Sequence, residues 1–209
     1  MNMCGKEERL RRPRRKAEET RLDILATAET LFRQRGVAKS SIADIAHELG
    51  MSPANVFKHF SSKTALVDAI CDRHISHMIE RFRTFDDPAP APERLALVVC
   101  KLMEAHLQDI RENPFFLEMI FVMSDADLKS GQHYGELIEG LFFDLISQGV
   151  ESGVYHCDDC LAASRHVTAA FVSVLHPVFL APLKEEDLRD RCAGIARLVN
   201  AALQSPLAK

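Results

Sequence analysis

The chain has 209 residues, 47% hydrophobic and 27% charged, with a formal net charge of −4. That suffices for a moderate core and is ordinary for a globular protein, with no low-complexity tract. No apolar run approaches the length of a bilayer crossing. The charged stretch from Lys6 to Lys16 lacks the apolar segment of a signal peptide, so a cytoplasmic protein without membrane contact is expected. The charge is uneven: residues 1–64 carry 13 Lys and Arg against 8 Asp and Glu, and the remainder carries 13 against 22. A basic head on an acidic body fits a head that meets a polyanion.

The apolar pattern is helical almost throughout. From Glu18, apolar residues recur at Ile24, Leu25, Ala28, Leu31 and Phe32, one face of a 3.6-residue period. Gly36 is a natural left-handed stop. Ser41, with Asp44 three residues on, reads as an N-cap and capping box for a short helix that buries Ile42, Ile45, Ala46 and Leu49 and ends at Gly50. Ser52-Pro53 starts another helix, serine as cap and proline in the first turn. Val56 and Phe60 face inward there, leaving Ala54, Asn55, Phe57, Lys58 and His59 to point elsewhere. A longer helix opens at Ser61-Ser62 and carries Leu66, Ile70, His74, Met78 and Phe82.

Asp86 to Pro92 holds three prolines at alternate positions, which predicts a break in the helices and a boundary. Beyond it, Leu95, Val98, Val99, Leu102, Met103, His106, Leu107 and Ile110 form an amphipathic stripe, broken at Asn113-Pro114. Phe115 to Met123 is short and strongly apolar, and Leu137 to Ile146 gives another stripe, closed near Gly153. Two further helices are expected at about 160–181 and 185–204, the second lined by Leu188, Cys192, Ile195, Val199 and Leu203. Neither a strand nor an internal repeat is evident, and the chain reads as all-α.

Ser41 to Lys63 carries the functional information. Two capped helices joined by a glycine turn form a helix-turn-helix, whose second helix can enter the major groove. Asn55, Lys58 and His59 are suited to base edges or phosphates. Backbone amides at Ser41 and at Ser62-Lys63 are suited to phosphate oxygens. Residues 22–70 resemble the DNA-binding domain of the tetracycline-repressor (TetR) family. The matching features are Ile24-Leu25, Ala28, Leu31-Phe32, Gly36, Ser41 to Ala46, Gly50-Met51-Ser52, Phe57 to Phe60 and Ser62 to Leu66. The resemblance implies about nine helices, with an N-terminal three-helix helix-turn-helix domain and a C-terminal helical domain for ligand binding and dimerisation. It also implies binding to double-stranded operator DNA, with Lys63 on a backbone phosphate.

The expected interface is therefore Ser41, Ser52, Ala54, Asn55, Phe57, Lys58, His59 and Lys63. Phe57 stands where the family commonly has a tyrosine, Lys58 where a second aromatic is frequent, and Ala54-Asn55 in place of Gly-Thr. These departures bear on which operator is read. The expected organisation is a basic flexible arm at 1–17, a DNA-binding domain at 18–64 with the helix 62–84 as link, and a ligand-binding and dimerisation domain at 65–209. Arg11, Arg12, Arg14, Arg15 and Lys16 could send that arm into the minor groove, or simply form a solvated tail.

A homodimer through the helices at about 160–181 and 185–204 is expected. Ala162, Ala163, Ala169, Ala170 and Ser173 allow close helix approach, and two heads on two half-sites double the contacts. A cavity for a small, largely apolar effector is expected between Pro92 and Gly153. Its candidate lining is Met103, Phe115, Phe116, Met119, Phe121, Met123 and Phe142, with His106 and His176 as polar anchors. The same residues would equally serve as ordinary core. The function expected is a ligand-responsive repressor, with tilt of the 62–82 helix as its lever.

The alternative is a thiol- or metal-responsive regulator of the same fold using Cys157 and Cys160, with His156 beside them and His166 further on. The spacing is suggestive, but there is no second Cys-x-x-Cys, and flanking aspartates oppose a reactive thiolate. Cys71, His74 and His77 drift around one helix, so no metal or cofactor is expected. No phosphate loop, nucleophile elbow or His-Glu-x-x-His occurs, and an enzyme is not expected.

Overall fold

The computed structural model describes residues 17–83, 88–112, 115–124 and 129–205. Within them run ten helices and no strand. They are α1 (Ala17–Arg35), α2 (Ile42–Glu48), α3 (Pro53–Phe57), α4 (Lys63–Arg83) and α5 (Ala91–Glu112), then α6 (Phe116–Ser124), α7 (Lys129–Glu151), α8 (Cys160–Leu175), α9 (Pro177–Leu180) and α10 (Glu185–Gln204). The basic arm and the Asn113-Pro114 break lie outside the described residues.

Local chemistry sets the helix ends. Gly36 takes φ +87° and Gly50 φ +62°, a region costly for residues with a Cβ. The Ser41 hydroxyl accepts from the Asp44 amide at 3.1 Å, while the Asp44 carboxylate accepts from the Ser41 amide at 2.8 Å. The capping box is complete. Ser52 caps α3 through the Asn55 amide, with Pro53 in the first turn.

Two expected boundaries move. Pro92 lies inside the first turn of α5, where its missing N–H would have no helical partner anyway; the break ends two residues earlier, at Pro90. The helix expected over 160–181 is two helices. His176 leaves helical geometry at ψ 122°, and its ring accepts from the Val178 amide to start α9 at Pro177. The residue before a proline disfavours the α region.

Burial divides into two cores. The head core joins Ile24, Ala28 and Phe32 of α1 with Ile45 and Ala46 of α2, Val56, Phe60, and Leu66, Val67, Ile70 and Cys71 of α4. The body core begins at Ile79 of α4 and gathers α5, α7, α8 and α10 around Leu102, Phe142 and Phe171. One helix thus serves both cores along its length. Met119 of α6 belongs to the head core.

A polar pin closes the far end of the body. The Tyr155 hydroxyl donates to Asn200 Oδ1 at 2.6 Å, and Asn200 Nδ2 donates to the Pro92 carbonyl at 3.0 Å. Gly149 makes room for it, because a Cβ there would lie 2.1 Å from the Tyr155 ring.

Candidate DNA interface and ligand cavity

The head presents α3 on a fixed support. The Arg21 guanidinium of α1 sits 4.2 Å above the Phe60 ring and donates to the His59 carbonyl. This cation–π contact ties the chain just beyond α3 back to α1. Val56 is fully buried beneath α3, whereas Phe57 is 51% exposed and Ser52, Ala54 and Lys58 are exposed. Asn55 and His59 are half-buried, and the Asn55 amide donates to the Met51 sulfur.

Lys63 is placed differently from a free surface cation. Its ammonium donates to the carbonyls of Val37 at 2.9 Å and Ser40 at 3.1 Å, holding the α1–α2 turn against the start of α4. An ammonium has three donors, so these two bonds leave one more. The exposed Ser41 amide is engaged by Asp44, whose carboxyl is held below its ordinary range by the Ser41 hydroxyl and then the Ser41 amide.

Behind the head lies a cavity of about 140 Å³. Its wall combines Cys71, His74 and Ile75 of α4, His106 and Asp109 of α5, Ile120 of α6, Gly131 and Tyr134 of α7, and His176 and Pro177. Both histidines expected as polar anchors are there. Other candidates lie elsewhere: Met103 is fully buried in the body core, and Phe142 stacks on Phe171 with ring centroids 5.6 Å apart. Phe115 lies against Gly36, and Met119 is in the head core. The side chains of Phe116 and Met123 fall outside the described residues, and Phe121 is exposed.

His106 is buried, and its Nδ1 donates to the Leu102 carbonyl at 2.7 Å. A carbonyl only accepts, so Nδ1 carries the hydrogen and Nε2 has the lone pair. Burial, against the backbone hydrogen bond and aided by His176, pushes its pKa down to about 4, so the ring is neutral. Burial also lowers the His176 pKa. Burial, then Asp68 and Asp72, push the Cys71 thiol up to about 12, which makes it a packing group.

Sequence reasoning missed Tyr134 and Glu118. Tyr134 sat outside the stripe read from Leu137 onward, although it is one of only two tyrosines in the chain. Glu118 interrupts an otherwise apolar segment, a signal that it has a partner. Its carboxylate accepts the amides of Val37 at 3.1 Å and Ala38 at 2.7 Å.

Cys157 and Cys160 are free thiols; burial and then Cys160 itself raise the pKa of Cys157. Among the described residues no group of three or more His, Cys, Asp or Glu side chains could hold a metal ion. No described helix is long and apolar enough to cross a membrane.

Comparison with known proteins agrees with this geometry. Residues 24–70 match the family of bacterial regulatory proteins of the tetR type, and residues 91–196, half of the chain, match the tetracyclin repressor-like C-terminal domain. The HTH-type transcriptional regulator TtgR of Pseudomonas putida is 41% identical over 69 residues, 32% of this chain and 33% of that protein. The chain thus spans about a third of that relative's length. A TetR-family regulator from Pectobacterium atrosepticum superposes with TM-score 0.67 at 24% identity, over 95% of this chain and 99% of that one. FadR of Thermus thermophilus, a repressor solved with lauroyl-CoA, superposes with TM-score 0.67 at 21% identity, over 90% of this chain and 98% of that one. The last two likenesses concern the fold. With head and body each matched by its own family description, the chain belongs to the TetR family of bacterial regulatory proteins.

Proposed function

We propose that the chain is a homodimeric repressor that binds operator DNA through α2 and α3 and releases it when a small, largely apolar effector enters the cavity. The observation that carries this is the exposed face of α3. Phe57 and Lys58 stand in solvent on a helix whose inner face is sealed by Val56 and whose end is tied to α1. In the groove, Ala54, Asn55 and His59 meet base edges and Phe57 meets a thymine methyl. Ser52, Lys58 and the third donor of Lys63 meet phosphates; the amide and hydroxyl of Ser41, expected there too, are already given to the Asp44 carboxylate. The two cores support a DNA-binding head and a ligand and dimer body joined by α4; the head core runs on past 64 to Cys71 and takes in Met119, so the boundary expected at 64 falls inside it.

The dimer forms through α8 and α10. Leu161 and Val172 of α8 and Leu198 of α10, the last 73% exposed, are large apolar side chains in solvent on these helices. Ala169 and Ala170 are exposed with them. Such a patch calls for a partner, and a two-fold operator supplies the reason for two heads.

Release follows from linkage. An effector favouring one arrangement of the body lowers DNA affinity by its differential affinity for the two arrangements. Helix α6 spans the two sites: Ile120 lines the cavity, Met119 packs into the head core, and Glu118 holds the amides after Gly36. Helix α4 does the same through Ile70 and Ile75. Electrophoretic shift of an operator duplex, repeated with an effector that binds the cavity, tests the reading; retention of the shift at saturating effector contradicts it.

A further inference from the structure

We infer that the cavity takes a neutral single-ring compound bearing one hydroxyl group, with phenol as the minimal member of the class. The inference rests on the effector reading above and assigns its chemistry.

Size comes first. The cavity measures about 140 Å³, and a cavity of about 150 Å³ lined by apolar side chains holds one benzene ring. Ile75, Ile120 and Pro177 supply apolar wall on α4, α6 and α9. That volume suits one ring better than a long acyl chain or a fused ring system.

The polar chemistry follows. Tyr134 lines the cavity, and its buried hydroxyl has no hydrogen-bond partner among the described residues. A buried donor without a partner is costly, so the group is poised for one supplied by a ligand. The His106 ring meets the Tyr134 ring edge-on, with centroids 5.6 Å apart. With Nδ1–H already given to Leu102, the Nε2 lone pair of His106 is an acceptor. One ligand hydroxyl therefore satisfies both: its oxygen accepts from Tyr134 and its hydrogen goes to His106 Nε2. A bare hydrocarbon leaves both wall groups unpaired.

The described lining favours a neutral ligand over a carboxylate. The described lining contains no lysine or arginine, and Asp109 is in it. A carboxylate would find neither guanidinium nor ammonium among the described lining to pair with.

The test is calorimetric titration of the full-length protein without DNA, using phenol, benzene, benzoate and laurate, on wild type and Tyr134→Phe. Expected are phenol binding tighter than benzene, no saturable benzoate or laurate binding, and a five- to tenfold loss of phenol affinity in Tyr134→Phe with benzene unchanged. Removing an unpartnered hydroxyl also leaves the variant at least as heat-stable as wild type, so lost binding reflects recognition rather than folding. Equal phenol affinity in the two proteins, or binding of laurate in preference to phenol, overturns the inference. Because no DNA is present, a protein that binds phenol yet keeps its operator would refute the effector reading and leave this assignment standing.

Discussion

The Glu118 carboxylate of α6 and the Ala38 backbone amide of the α1–α2 turn, 80 positions apart, meet at 2.7 Å. The same carboxylate takes the Val37 amide, and Lys63 takes the Val37 carbonyl on the other side. The turn that orients α2 is thus held between a body helix and the first residue of α4. Gly36 permits the approach: a Cβ there would come within 3.1 Å of both Glu118 Oε2 and the Phe115 ring, at a φ of +87°.

Glu118→Ala should therefore uncouple the sites more than it unfolds the head. Two charge-assisted bonds are lost, worth roughly 2 kcal/mol together. Hydrogen exchange at the Val37 and Ala38 amides should accelerate at least tenfold, and effector should shift operator affinity less than in wild type. Unchanged exchange at both amides would show that the contact does not hold the turn.

Gly149→Ala should destabilise the body. The added methyl meets the Tyr155 ring, which the Asn200 bond holds in place, and overpacking of this kind costs about 1–3 kcal/mol. Urea unfolding followed by circular dichroism should give a lower midpoint with an unchanged slope.

Stability should fall with acid in two windows. Burial lowers the His106 pKa to about 4, so between about 6.5 and 4 the unfolded chain takes up a proton that the folded one refuses. Stability contributed by neutral burial is present above 6.5 and is lost as pH falls through that window. Glu29 behaves as a depressed carboxylate: the His74 hydrogen bond and then the nearby charges of His74, Arg33 and Arg73 outweigh burial and bring it to about 2. Its contribution is present above about 4.5 and lost as pH falls toward 2. Urea midpoints from pH 7 to 3 should show Glu29→Gln less stable at neutrality and flatter below pH 4.5. A parallel pair of curves would contradict the Glu29 assignment.

Leu198→Asp should yield monomers. A charge placed on the apolar face of α10 opposes burial against a second copy, while the side chain is 73% exposed in a single chain, so the fold itself should persist. Sedimentation velocity should report a monomer with undiminished helical content. A dimer of wild-type strength would move the interface elsewhere.

Much of the head was legible because its signals are local. Ser41 with Asp44, Ser52 with Pro53, and the glycines at 36 and 50 act within a turn of where they stand. The cavity was not legible in the same way. Its wall draws one to three residues from each of α4, α5, α6, α7 and α9, and no sequence period reports which of several buried faces leaves a gap. Met103 and Phe142 carry the pattern expected of a lining yet fill the core, since apolar bulk suits either role. His106 and His176 were legible because polar residues on apolar stripes need partners. The break at His176 was missed because the apolar pattern runs on through Pro177.

The most direct test of the central claim is selection of duplexes from a randomised library, followed by fluorescence anisotropy on the winner. Wild type and Lys58→Ala would be titrated over a salt series. The account predicts saturable, salt-sensitive binding with two protomers per site, and in the variant a weaker affinity with the salt slope reduced by about one. Failure of any sequence to enrich, or a variant indistinguishable from wild type at every salt concentration, would contradict DNA recognition through α3.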